Sequence, residues 1–242
     1  MRVGWFQVSV RSEQLEWTNM DAQASGHGPG DMHEQFGVFR KILVEMNGVL
    51  DRLQEGPAKS DPRVASFKDG IFCFELALTF FEEANLAVQA EAWFAAASTA
   101  SSALESVLLS KCFFQEREVT ALPKFQKMML RHKADFGLSA RSLDLGKLLE
   151  IANDLSWFSD GGIPKTFTRY LAGFLDESKL SQVLRIFEGD VDVGRTCANH
   201  VREYRNLLHP AVCLKEGRQP SKDAGLTATL LFMITFASLA EA

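Results

Sequence analysis

Residues 90–114 read AEAWFAAASTASSALESVLLSKCFF. The stretch is rich in alanine and serine, and Leu104, Val107 and Leu108 continue an apolar stripe along it at helical spacing. Side chains this small let a partner helix approach closely, so the segment reads as a central helix packed on several sides. The helical texture extends back to Phe67, which predicts two helices meeting near residues 87–91.

Upstream, residues 32–53 place Phe36, Phe39, Leu43, Met46, Leu50 and Leu53 at helical spacing, and QEGPAKSDPR ends that helix with two prolines and a glycine. Residues 1–30 mix a short apolar start with DAQASGHGPGD, which cannot hold a helix. They are expected to form a flexible extension ahead of one helical domain over residues 31–242. Downstream, LPKFQKMMLRHKADFG reads as a charged, less regular link, and SLDLGKLLEIANDLSWF as an amphipathic helix ended by SDGG. TFTRYLAGFL and KLSQVLRIF read as short helices, and residues 193–208 as a longer one. Residues 224–240, AGLTATLLFMITFASLA, fall short of the roughly 20 apolar residues a membrane span needs and lack basic flanks, so a buried core helix is expected. No sustained period-2 run is bounded by hairpin turns, and the expected fold class is all-α.

A chain of 242 residues is long enough for one good core, and 46% hydrophobic with 24% charged residues is ordinary for a globular protein. The net charge of -5 excludes a surface that is basic throughout and confines any nucleic-acid contact to a local groove. Cys73, Cys112, Cys197 and Cys213 are far apart and form no C-x-x-C pair, which suggests neither a zinc site nor a disulfide framework. The start of the chain, MRVGWFQVSVRSEQLEW, lacks the pattern of a signal peptide. A reducing cytoplasm and no membrane association are expected.

The segment HVREYRNLLHP, residues 200–210, stands out chemically. In a helix Arg202, Arg205, Asn206 and His209 fall at i, i+3, i+4 and i+7 and share one face. Pro210 disfavours helical geometry in the residue before it, which sets His209 at or just past the last turn. An imidazole there can exchange protons near neutrality, and the guanidiniums present planar donor forks to phosphate. The helix C-terminus favours imidazolium while the neighbouring guanidiniums disfavour it. Arg, Asn and His are also common near helix ends as caps and ion-pair partners, and that reading stands beside the chemical one.

The succession of WFAAASTASSALESVLL, LGKLLEIANDL and VREYRNLLHP resembles the HEPN superfamily of helical-bundle proteins, over about residues 67–240. Many members are metal-independent ribonucleases of toxin–antitoxin, phage-defence or RNA-processing systems. Their motif is an arginine, usually followed by a polar residue, with a histidine after four to six intervening positions. Here Arg205 has the polar follower Asn206 but only three residues before His209, whereas Arg202 has six and is followed by Glu203. The resemblance implies Arg202, Arg205, Asn206 and His209 as catalytic residues, with Arg202, Arg205 and His200 contacting RNA. It further implies no cofactor or metal, a homodimer whose motif helices form one composite cleft, and a cognate antitoxin or nucleotidyltransferase as partner. Other members have lost activity and bind RNA, a nucleotide or a protein.

Cleavage without a metal needs a base for the 2'-hydroxyl, an acid for the leaving 5'-oxygen, and positive charge against the developing phosphorane. Under that resemblance His209 would supply proton transfer, the arginines charge and Asn206 orientation of the phosphate or the imidazole, and the second proton-transfer group would come from the His209 of a second subunit. Elsewhere, His27, Asp31 and His33 read as linker residues rather than metal ligands. GDVDVG lacks the remaining ligands of a calcium loop and reads as a turn with Asp192 as N-cap. SDGG lacks the lysine of a phosphate loop. Trp93 and the many phenylalanines read as core.

Overall fold

The computed structural model describes residues 62–159, 161–172, 177, 181, 184–185, 187–190, 192–207, 212, 214–215 and 222–241. The expected extension over residues 1–30 and the helix expected over 32–53 lie outside them. The break expected near residues 87–91 falls at residues 90–92, where Glu91 turns the chain with a left-handed φ of 55°. Either side of it run α1 (Pro62–Gln89) and α2 (Trp93–Phe114). So short a connection makes the two an antiparallel hairpin. Then follow α3 (Glu116–Ala121), α4 (Pro123–Arg131), α5 (Phe136–Arg141), α6 (Leu145–Asp154), α7 (Lys165–Ala172), α8 (Val193–Asn206) and α9 (Lys222–Glu241). Among the described residues the only β pairing is an isolated bridge between Gly161 and Asp192, and the fold is all-α.

The small side chains of α2 do what their composition implies. Ala96, Ala97, Ala100, Ala103, Leu104, Val107 and Leu108 are all buried, and α1, α6, α8 and α9 pack around them. Three glycines set how closely the long helices approach. The Ser110 hydroxyl on α2 donates to the Gly70 carbonyl of α1 at 2.6 Å. A Cβ added to Gly225 at the start of α9 would stand 2.9 Å from the Trp93 carbonyl oxygen. One added to Gly194 of α8 would fall on the Ser238 side chain of α9. Ser238 is itself fully buried, and its hydroxyl accepts from the Ser159 amide at 3.1 Å. Helix α9 is thus a core element of the bundle, and among the described residues no helix is long and apolar enough to cross a membrane.

Two readings of the middle of the chain are corrected. The segment taken as an irregular link folds as α4 and α5, because each carries an aromatic anchor: Phe136 packs on Phe125 at 5.5 Å and on Phe113 of α2 at 5.6 Å between ring centroids. Pro123 opens α4 at its first position, and the Asp135 carboxylate accepts from the Leu138 amide at 2.7 Å to start α5. Helix α6 stops at Asp154, before the expected SDGG, since Ser156 adopts a φ of 51°. The chain then folds Trp157 and Phe158 back into the core, and the Trp157 indole donates to Gln115 at 2.6 Å. The start of α6 depends on Asp144, whose carboxylate accepts from the Lys147 amide at 2.9 Å. Asp144→Ala is therefore expected to lower stability by about 1 kcal/mol in a urea titration, as loss of a single N-cap does.

One charged side chain lies deep in this core. Lys111 of α2 is 3% exposed, and its Nζ reaches the carbonyl oxygens of Leu239 at 3.2 Å and of Trp157 at 3.5 Å, with the Trp157 ring centroid 5.6 Å away. It therefore gathers the carbonyl end of α9 and the chain leaving α6 onto α2, where a cation is favoured by the helix dipole. Removal from water opposes the charge and lowers its pKa from 10.5 to about 8.

Candidate functional site

Helix α8 owes its orientation to a short apolar face. Val193, Gly194, Cys197, Ala198 and Val201 are buried against α2 and α9, which turns residues 202, 203 and 206 outward. The helix ends at Asn206, and the buried Leu207 closes it with its amide on the Glu203 carbonyl at 3.1 Å. Asp192 occupies the N-cap position as expected, but its carboxylate makes no capping bond. It pairs instead with Arg195 at 3.4 Å, while its own amide donates to Asp190 at 2.9 Å.

The two arginines of the motif have different surroundings. Arg205 is half-exposed, and its Nη1 donates to Oε2 of Glu105 on α2 at 2.7 Å. A short, charge-assisted contact of this kind fixes the guanidinium against the bundle. Arg202 is exposed and extends over the first turn of α6: a Cβ added to Gly146 would stand 3.3 Å from its Nη2. The Asp144 carboxyl is held below the usual carboxylate range, chiefly by its bonds with Lys147, with the Arg202 charge as a smaller contribution. Asn206 is exposed on the same side of the helix. His200 is exposed one turn earlier and its Nδ1 lies 2.9 Å from the Glu203 carboxylate, an i,i+3 pair running along the helix surface. His209 lies outside the described residues, as does Cys213.

Sequence reasoning missed Glu105. Its signal was present, since it is the only charged residue between Glu91 and Lys111. A carboxylate in so uncharged a helix, half-buried in the bundle, calls for a cationic partner on a neighbouring element. Among the described residues the thiols offer no competing chemistry: Cys73, Cys112 and Cys197 are buried and free. Burial pushes Cys73 up to about 11, with Asp69 adding and Arg141 opposing, and pushes Cys197 up to about 12. Among the described residues no three of His, Cys, Asp and Glu are grouped as a metal site would require. The arrangement on α8 is thus one anchored guanidinium, one exposed guanidinium and an exposed amide at the end of a helix whose next residues lead to a histidine. No protein-family model, curated protein or solved structure matches the chain.

Proposed function

We propose that the chain is a HEPN-type, metal-independent endoribonuclease acting as a homodimer, with a cytoplasmic role in toxin–antitoxin or phage defence alongside a cognate antitoxin or nucleotidyltransferase. The observation that carries the reading is the division of labour on α8: Glu105 holds Arg205 at 2.7 Å while Arg202 and Asn206 stay exposed one turn apart. A guanidinium fixed in advance stabilises developing charge without reorganising, whereas an exposed one captures the phosphate backbone. His209 transfers the proton, and the second subunit's His209 completes the acid–base pair. The products are a 2',3'-cyclic phosphate and a 5'-hydroxyl.

The same ion pair favours a second reading. A guanidinium satisfied by its own bundle is also what a non-catalytic module binding RNA, a nucleotide or a protein would show, with Arg205 serving architecture alone. Incubation of purified protein with single-stranded RNA separates the two. Cleavage that persists in EDTA and leaves cyclic phosphate ends is expected. His209→Ala is expected to remove it while helix content and mass stay unchanged, and Arg205→Ala to slow turnover by ~100-fold, typical of losing one charge-stabilising donor. Arg202→Ala should mainly weaken RNA binding in a salt-dependent way. Intact RNA at every metal condition would overturn the nuclease reading in favour of the binding module.

A further inference from the structure

Two outward surfaces play no part in the chemistry above. Helix α1 packs on α2 and α9, and its far side carries Phe72, Glu75, Thr79, Glu83 and Leu86 at helical spacing. Phe72 is 58% and Leu86 62% exposed, and Glu75 and Glu83 form no ion pair among the described residues. The second surface has the opposite sign. From Pro123 to Ala134 the chain holds Lys124, Lys127, Arg131 and Lys133 with no carboxylate, although the protein as a whole carries a net charge of -5. Lys127, Arg131 and Lys133 are exposed and without an ion pair among the described residues, and Leu130 stands between them at 78% exposure.

The geometry points to a second copy of this chain as the occupant of both surfaces. Each side lacks what the other presents: unmatched carboxylates with exposed apolar side chains on α1, unmatched cations with an exposed leucine on α4. Arg141 at the end of α5 is bound to Asp69, in the first third of α1, at 2.8 Å, and α4 packs on α5, so the cationic segment lies toward the Lys68 end of the stripe. Glu83 lies further along the helix, roughly 20 Å beyond Asp69 at 1.5 Å per residue. The surface is thus polarised, cationic at one end and acidic at the other. A two-fold axis that lays two copies head to tail brings each cationic end onto the partner's acidic end, and one patch satisfies itself twice. RNA fits the cationic segment less well, because the one phenylalanine between its cations, Phe125, is buried and offers no face to stack a base, and Leu130 would face water. The contact uses no residue of α8, so it joins copies through a different face from the α8 pair of the cleavage reading and stands independently of it.

Light scattering at micromolar concentration tests it directly. The mass at 50 mM salt is expected to halve at 500 mM salt, because exposed charge pairs are screened. Lys127→Glu with Arg131→Glu should weaken the low-salt association at least tenfold. Adding Glu75→Lys and Glu83→Lys to that variant should restore it, since both halves are then reversed together. An unchanged mass across the salt range overturns the proposal without recourse to any variant. So does a four-substitution protein of native helix content that stays dissociated at low salt, because complementarity would then not be what holds the copies together.

Discussion

Gly194→Ala is expected to destabilise the protein by about 3 kcal/mol or more, read as a fall in the urea midpoint at unchanged slope. The added methyl would fall on Cβ and Oγ of Ser238, and the Phe158 ring 3.4 Å away closes the side on which it could otherwise be relieved. Ser238 cannot simply rotate aside, because its hydroxyl contacts the Ser159 amide at 3.1 Å and hydroxyl at 2.9 Å. The conflict must separate α8 from α9 or break those bonds. Ser238→Gly placed on the same background removes the colliding atoms and should recover part of the loss. Gly146→Ala is the contrasting case: its methyl meets only the far ends of the Asp144 and Arg202 side chains, at 3.2 and 3.3 Å, and should change stability by less than about 1 kcal/mol. An unaltered midpoint for Gly194→Ala would show that α8 and α9 do not meet as closely as described.

Lys111→Met is expected to remove a pH dependence of up to ~3 kcal/mol. In the folded protein the lysine titrates at about 8, against 10.5 in an open chain. Below pH 8 both states hold the proton, and above 10.5 both have lost it. Between the two the unfolded chain binds more protons, so this group makes stability rise with pH. The buried thiols act in the opposite sense: their folded pKa values lie above the ordinary 9.0, so they lower stability as pH climbs past 9. The wild-type curve should therefore rise from pH 8 to 9, by roughly 1 kcal/mol, and then turn over. Methionine preserves the apolar stem of the side chain and leaves the thiols untouched. The difference between the two curves isolates the lysine, and parallel curves across pH 8–10.5 would mean that Lys111 is not held out of water.

What the sequence shows well is whatever depends on one helix's own periodicity. The hairpin of α1 and α2, the small-residue packing surface of α2 and the outward placement of Arg202 and Asn206 all follow from spacing along a single element. The shortfalls arise where a partner distant in the chain decides. Phe125 and Phe136 make helices of an irregular-looking segment because they meet each other and Phe113. Trp157 leaves α6 early because Gln115, on the loop after α2, receives its indole. At the candidate site, spacing places both arginines on one side of α8 but cannot tell which is anchored, since that choice is made by Glu105 a hundred residues away. His209 and residues 1–61, on which part of the reading rests, lie outside the described residues.

The position of α9 in the core also bears on when the protein can fold during synthesis. Its contacts with α2 join segments more than a hundred residues apart, and at ~5–20 residues per second the ribosome takes roughly 5–20 s to travel from one to the other. Throughout that interval the alanine-rich flank of α2 has no α9 to cover it, and the inner face of α8 lacks it once made. A nascent chain in this state exposes apolar surface that chaperones recognise, and its native bundle can close only after Glu241 has cleared the exit tunnel.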